Sequence, residues 1–321
     1  MTVILSHSSA LQYWRKNDLS SVRQAISYAR FQKEAPVSVS ELQDSLECLP
    51  YLTSPVDTLH YRQNARCRVS LGNPHASTAK LPEKSIFQEA HSLGVVCPEL
   101  CLVQIAEADE LQFIKTAFEL CGSYRIAPIT EFDDSGMRVN VASLTTPAKI
   151  RSFASRAEWL RGAKRAQRLA KYVRSGAESP REAGLAMLLG LPRRYGGYGF
   201  GMPEMNYRVS ATQEARQMAA RSHFRMDLYW PSKRLCLEYD SDAHHALQDK
   251  IHDDARRRNA LQHMNVRVIV VTAAQVGSLA AIDSLANDVR VALGERKRPP
   301  CANLDEMRRR LFSVAFARER F

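Results

Sequence analysis

Two alternating apolar segments joined by a tight polar turn constrain this chain more than any other feature. Phe224-Arg225-Met226-Asp227-Leu228-Tyr229-Trp230 follows the two-residue period of a half-buried strand, Pro231-Ser232-Lys233-Arg234 turns, and Leu235-Cys236-Leu237-Glu238-Tyr239-Asp240 resumes the alternation. That is an antiparallel hairpin. If the hairpin is centred between Ser232 and Lys233, positions 227 and 238 are equally far from the centre, so Asp227 and Glu238 oppose each other. Opposed side chains share a sheet face with Cβ atoms about 4.5–5.5 Å apart, and like charges so placed destabilise the pair. A hard divalent cation held by carboxylate oxygens removes the conflict, so Asp227 and Glu238 are expected to be metal ligands. Asp240 projects from the same face two residues on. It also falls opposite Arg225, which makes a cross-strand ion pair an alternative to metal ligation.

The elements around the hairpin read as one unit. Ser179-Pro180-Arg181-Glu182 opens a helix running through Leu189, Asn206 to Val209 is strand-like, Ala246 to Met264 is helical, and Val266 to Thr272 is a β-branched strand. With the hairpin this gives the order αβββαβ, an α/β class with a mixed central sheet, followed by an amphipathic helix from about Leu304 to Ala317. Ser179 and Glu182 have the spacing of a capping box, which satisfies backbone donors whether or not Glu182 also has a chemical role.

The length of 321 residues suits two domains. Residues 1–145 read as a mixed α/β (α+β) domain. Ser9 to Arg15 and Ser38 to Leu49 look helical, Cys67 to Leu71 and Gly94 to Val96 look like strands, and Leu100 to Leu120 has the spacing of a helical hairpin. Thr130 to Thr146 is the expected linker. Residues 146–176 form a basic helical connector, capped by Thr146-Pro147, divided at Gly162 and stopped at Gly176, and residues 177–321 form the second domain. The hydrophobic share of 45% and charged share of 25%, with 14 Gly and 14 Pro, exclude collagenous and wholly disordered chains. No apolar run is long enough for a membrane span, and no basic segment precedes an apolar one at the start, so a cytoplasmic protein without a membrane partner is expected. The seven cysteines form no CxxC pair and no zinc spacing, so they read as reduced, packed thiols.

The net charge of +11 is unevenly spread. Residues 1–145 carry 13 Lys and Arg against 16 Asp and Glu, residues 146–176 carry 9 against 1, and residues 177–321 carry 23 against 17. Nine bases with a single local acid point to a polyphosphate partner, DNA first with RNA left open, bound through Lys164, Arg165, Arg168 and Lys171. A solvated helix face is the alternative.

Asp227, ten intervening residues, Glu238-Tyr239-Asp240, His244-His245, Asp254, Arg257 and the closing Val268-Ile269-Val270-Val271-Thr272 together resemble the restriction-endonuclease-like PD-(D/E)XK superfamily, in its branch related to the very-short-patch-repair endonuclease (domain of unknown function 559). The resemblance covers about residues 178–280. It implies cleavage of DNA phosphodiesters with Mg2+ or Mn2+, held by Asp227 and Glu238. It further implies that Asp240 takes the position of the superfamily's lysine, that His245 contacts the attacking water or the phosphate, and that Glu182 orients metal-bound water. Arg257 is placed to meet a phosphate, although Asp253, Asp254 and Arg256 to Arg258 could equally be helix pairs, and His244 and His245 a polar loop. Asp240 cannot supply the lysine's positive charge, and Ser241 stands where the branch generally has glycine. Ser9 to Arg15 and Gly94 to Leu100 also resemble proteins akin to AbiE-type antitoxins. That likeness implies a second reading, a DNA-binding regulator with an inactive nuclease fold. In either reading the N-terminal domain selects a target or a protein partner.

Overall fold

A computed structural model of the chain describes residues 3–33, 40, 43–44, 47, 49–53, 55–61, 72–77, 80–90, 93–126, 137–240, 248–299 and 302–316. The chain divides between Val173 and Arg174 into two compact units. Each is mixed α/β, and among the described residues no helix is long and apolar enough to cross a membrane.

The first unit contains β1 (Val3–Leu5), α1 (His7–Lys16), β2 (Gln24–Ala25), α2 (Tyr28–Lys33), β3 (Val56–Tyr61), β4 (Gly72–Ser77), β5 (Ile86–Ala90) and β6 (Leu93–Val96). It continues with α3 (Pro98–Ala108), α4 (Glu110–Cys121), β7 (Tyr124–Ile126), β8 (Met137–Val139), α5 (Pro147–Arg156) and α6 (Ala163–Leu169). Six strands form one sheet in the order β2-β5-β6-β1-β3-β4, with β1 and β6, fully buried apolar runs, at its centre. The anticipated helical hairpin is α3 followed by α4. Asp109 ends the first and caps the second, its Oδ1 accepting the Leu111 and Gln112 amides at 2.8 and 3.0 Å. The predicted strand at 67–71 lies outside the described residues, as does most of the helix expected at 38–49.

The residues expected to connect the domains are part of this unit as far as Val173. Helix α5 packs on α3, and α6 packs on both α3 and α4. Gly162 does separate the two helices, at φ +82° and so close to α3 that a Cβ there would lie 2.2 Å from the Val103 carbonyl oxygen. Only glycine tolerates both conditions.

The second unit begins with α7 (Pro180–Gly190), then β9 (Glu204–Ser210), α8 (Gln213–Ala219), β10 (His223–Trp230), β11 (Leu235–Asp240), α9 (Gln248–His263) and β12 (Arg267–Thr272). Helices α10 (Ala273–Val276), α11 (Leu279–Leu293) and α12 (Leu304–Phe316) complete it. The expected αβββαβ order therefore acquires one short extra helix, α8, between its first two strands. Its N-cap Thr212 accepts the Ala215 amide, and an acidic first turn follows. The strand order is β12-β11-β10-β9, parallel between β12 and β11 and antiparallel elsewhere, so the sheet is mixed. The hairpin has the register read from its turn, Leu228 opposite Leu237 and Trp230 opposite Leu235. Ala260 and Leu261 of α9 pack on Phe224, Met226, Tyr229 and Cys236 of the hairpin, which sets this helix against the sheet.

Candidate active site

The site is built where α7 meets the strands. Ser179 caps α7 by accepting the Glu182 amide at 3.2 Å and donates its hydroxyl to Glu182 Oε1 at 2.8 Å. Glu182 Oε2 accepts the Glu178 amide at 3.1 Å, one residue upstream of where a standard capping box would reach. The same Oε2 accepts Asn206 Nδ2 at 2.6 Å. Glu182 is 8% exposed. Burial, with Asp227's charge nearby, pushes its carboxyl up to about 7 against three opposing hydrogen-bond donors.

Asn206 is held by a distortion of β9. Its φ is +46°, a left-handed conformation that Asn tolerates better than most residues, and the pairing with β10 steps from Met226 opposite Tyr207 to Leu228 opposite Met205. Asn206 thus stands across from Asp227 in register. Its Nδ2 also donates to the Gly176 carbonyl at 2.9 Å, while its Oδ1 is buried and accepts no hydrogen bond among the described residues. A buried acceptor left bare costs roughly 1–3 kcal/mol, so a water or a ligand atom is expected to meet it.

Asp227 Oδ2 accepts the Tyr239 amide across the hairpin at 3.0 Å. Burial first, and then the neighbouring Glu238 charge, raise its carboxyl above the usual range despite Arg225 and Arg257. Glu238 differs from its two companions. Its Oε1 is paired with Arg257 Nη1 at 2.5 Å, and Arg257 also donates to the Arg225 carbonyl at 2.6 Å. Arg257, which the sequence places for a phosphate or for helix pairs, here meets a carboxylate of the site.

Three acids from three different elements are thus linked through Asp227, whose charge acts on Glu182 and which in turn feels the charge of Glu238. Asp240 is exposed at the end of β11. Its anticipated ion pair with Arg225 is absent because Arg225 reaches Glu178 at 2.6 Å instead. Ser241, His244 and His245 lie outside the described residues, as does the side chain of Asp254. Asn206 escaped the sequence reading because its importance comes from a strand distortion and from a partner 24 positions away. The only sequence signal was an Asn inside a strand, a residue type suited to such a bend.

The donor set suits a divalent cation in kind: carboxylates of Asp227 and Glu238, a buried and partly uncompensated Glu182, and the bare Asn206 Oδ1 are all hard oxygens. In the arrangement described, no three His, Cys, Asp or Glu residues stand close enough together to hold a metal, among the described residues. The Arg257 guanidinium supplies the positive charge at Glu238.

The basic segment is more compensated than its local composition suggests. Arg165 and Arg168 both pair with Glu110 of α4, the former at 3.4 Å. Arg165 also donates to the Ala106 and Glu107 carbonyls at 3.0 and 2.8 Å, closing the end of α3. Arg161 meets Glu107 at 3.5 Å. Lys171 sits 5.0 Å from the Tyr172 ring centroid, and Lys164 is exposed. No protein-family model, curated protein or solved structure matches the chain.

Proposed function

We propose that the second unit is a divalent-metal-dependent DNA endonuclease with a restriction-endonuclease-like core. The observation that carries this reading is the convergence of Glu182 and Glu238 on Asp227, with the Glu182 and Asp227 carboxyls raised by burial and by a neighbouring carboxylate, beside the bare Asn206 oxygen. Perturbed acids from separate elements gathered in one place are more often chemical than structural.

Asp227 and Glu238 would hold Mg2+ or Mn2+, which when bound lowers the pKa of a coordinated water and offsets charge building on the phosphate. The chain's own groups do the rest. Glu182, with a carboxyl at about 7, is poised to accept a proton near neutral pH. Asn206 holds Glu182 by Nδ2 and offers Oδ1 toward a water or hydroxyl. Arg257 could serve either Glu238 or a scissile phosphate, because both acceptors suit a guanidinium. Duplex DNA incubated with the full chain and Mg2+ or Mn2+ should be cut, and Asp227→Ala or Glu238→Ala should lose the cutting. Cleavage that survives both substitutions overturns the assignment.

One observation favours the second reading, a DNA-binding regulator built on an inactive nuclease fold: Glu238 is already neutralised by Arg257. Such a protein binds a defined DNA segment in the presence of chelator. Calorimetric titration with Mn2+ separates the two, since only the nuclease shows a binding isotherm that Asp227→Ala abolishes.

A further inference from the structure

Away from the acidic site, the second unit carries a cleft of about 510 Å3, within the size range of small-ligand pockets. Its lining pairs flat aromatic surface with cations. Tyr198 and Phe200 lie nearly parallel, centroids 6.0 Å apart at 14°, on either side of Gly199, whose φ of +79° no larger residue adopts easily. The backbone pins them to the end of α7, with Tyr198 N–H on the Leu188 carbonyl at 2.8 Å and Phe200 N–H on that of Leu189 at 3.0 Å. Arg308 of α12 stacks 4.0 Å above the Tyr198 ring and pairs with Asp283 at 3.1 Å, and the Tyr198 hydroxyl donates to the same Asp283. One rim is therefore rigid before anything binds.

The rest of the lining is rich in cations, and two adjacent ones have no partner among the described residues. The lining holds six Arg and Lys residues against three acids, two of which are already occupied, Asp283 by Arg308 at 3.1 Å and Glu295 by Arg298 at 3.7 Å. Arg290 bonds to the neutral Asn287 side chain, while Arg296 and Lys297 make no hydrogen bond or ion pair among the described residues. Adjacent unpaired cations at the mouth of a cleft repel each other and favour an anion. Phosphate with a planar group attached satisfies both rims, because aromatic rings stack on bases of any identity and guanidinium groups match phosphate oxygens.

We propose that this cleft binds a nucleoside phosphate, with its base against the Tyr198 and Phe200 surface and its phosphate against Arg290, Arg296 and Lys297. Two sources share that chemistry, a free mononucleotide and the phosphorylated end of a single strand. The inference does not rest on the nuclease reading, since none of these residues belongs to the acidic site.

The test uses the full chain in EDTA, so that no cleavage interferes. The probes are a fluorescein-labelled, 5′-phosphorylated single strand of about ten nucleotides, read by anisotropy, and adenosine monophosphate as competitor. The expected result is binding that weakens about tenfold in Phe200→Leu. Arg296→Ala/Lys297→Ala should weaken it at least as much and flatten its salt dependence. Displacement by adenosine monophosphate assigns the free nucleotide, and resistance to it assigns the strand end. The Arg296 and Lys297 positions are exposed, so their replacement leaves the fold intact and keeps the test decisive. Absence of binding by both probes, or binding equal in wild type and both variants, overturns the proposal.

Discussion

At the scale of single residues, the second unit carries a conflict that its own side chains resolve only in part. Glu182 is buried with its carboxyl at about 7, so at higher pH a charge is held where burial disfavours it. Glu182→Gln keeps the contacts if its carbonyl faces Glu178 N–H and Asn206 Nδ2 and its amide donates to Ser179 Oγ, which can turn to accept. The variant should therefore be stabilised at pH 8, by on the order of 2 kcal/mol from the size of the shift, and this gain should shrink to under about 1 kcal/mol at pH 5, where folded wild-type Glu182 is protonated. Thermal melts at the two pH values check it, and destabilisation at pH 8 would contradict the account. The Arg257–Glu238 pair carries the opposite expectation. Both side chains are about one-fifth exposed, 17% and 22%, so removing the cation strands a largely desolvated carboxylate beside Asp227. Arg257→Ala should cost about 1–3 kcal/mol. Adding Glu238→Gln should recover part of that in a double-mutant cycle followed by urea denaturation.

At the scale of elements, legibility followed the distance over which each feature is encoded. The register of β10 and β11 was readable because a two-residue period and a short turn leave one alignment that buries Leu228, Leu235 and Leu237. Helix α7 was readable from Ser179-Pro180 and Glu182, a local capping signal. Arg257 was read as a phosphate contact or a member of helix pairs, and its partners in the fold, Glu238 and the Arg225 carbonyl, were out of view because they are 19 and 32 positions away. The acidic partners of the basic segment were hidden for the same reason. A window of charges sees Glu158 and misses Glu107 and Glu110, which come from α3 and α4, 54 to 58 positions upstream of the arginines they pair with. Gly162, by contrast, was read as a division between helices, and the packing supplies the reason. With φ at +82° and a Cβ at 2.2 Å from the Val103 oxygen, Gly162→Ala should push α6 off α3. The expected loss is more than about 2 kcal/mol, combining backbone strain with a steric clash, and a shift in urea midpoint measures it. An unchanged midpoint would show that α3 and α6 can separate at little cost.

At the scale of the whole molecule, the two units respond to acid in opposite directions. In the first, burial depresses His7 to about 4 against an ordinary 6.5, helped by the stacked His75 ring at 3.6 Å. Asp57 is held down to about 2 by hydrogen bonds from His75, Ser8 and Asn73, which outweigh its burial. The unfolded chain takes up a proton on the histidine below about 6.5 that the folded unit refuses until about 4, so stability falls as pH drops through that window. Asp57 extends the loss below about 4, because its contribution is complete only above the ordinary carboxylate range. In the second unit Glu182, with Asp227 in the same direction, binds its proton more tightly when folded. Here the folded state holds more protons than the unfolded one between about 4.5 and 7, so stability rises as pH drops through the window and is lost on raising pH through 7. Lowering pH from 7 to 5 should therefore weaken amide protection around α1, β3 and β4 while strengthening it around α7, β9 and β10, after correction for intrinsic exchange rates. Protection that moves the same way in both units would mean that the carboxyl cluster of the second is solvated rather than buried, and the chemical role proposed for Glu182 would fall with it.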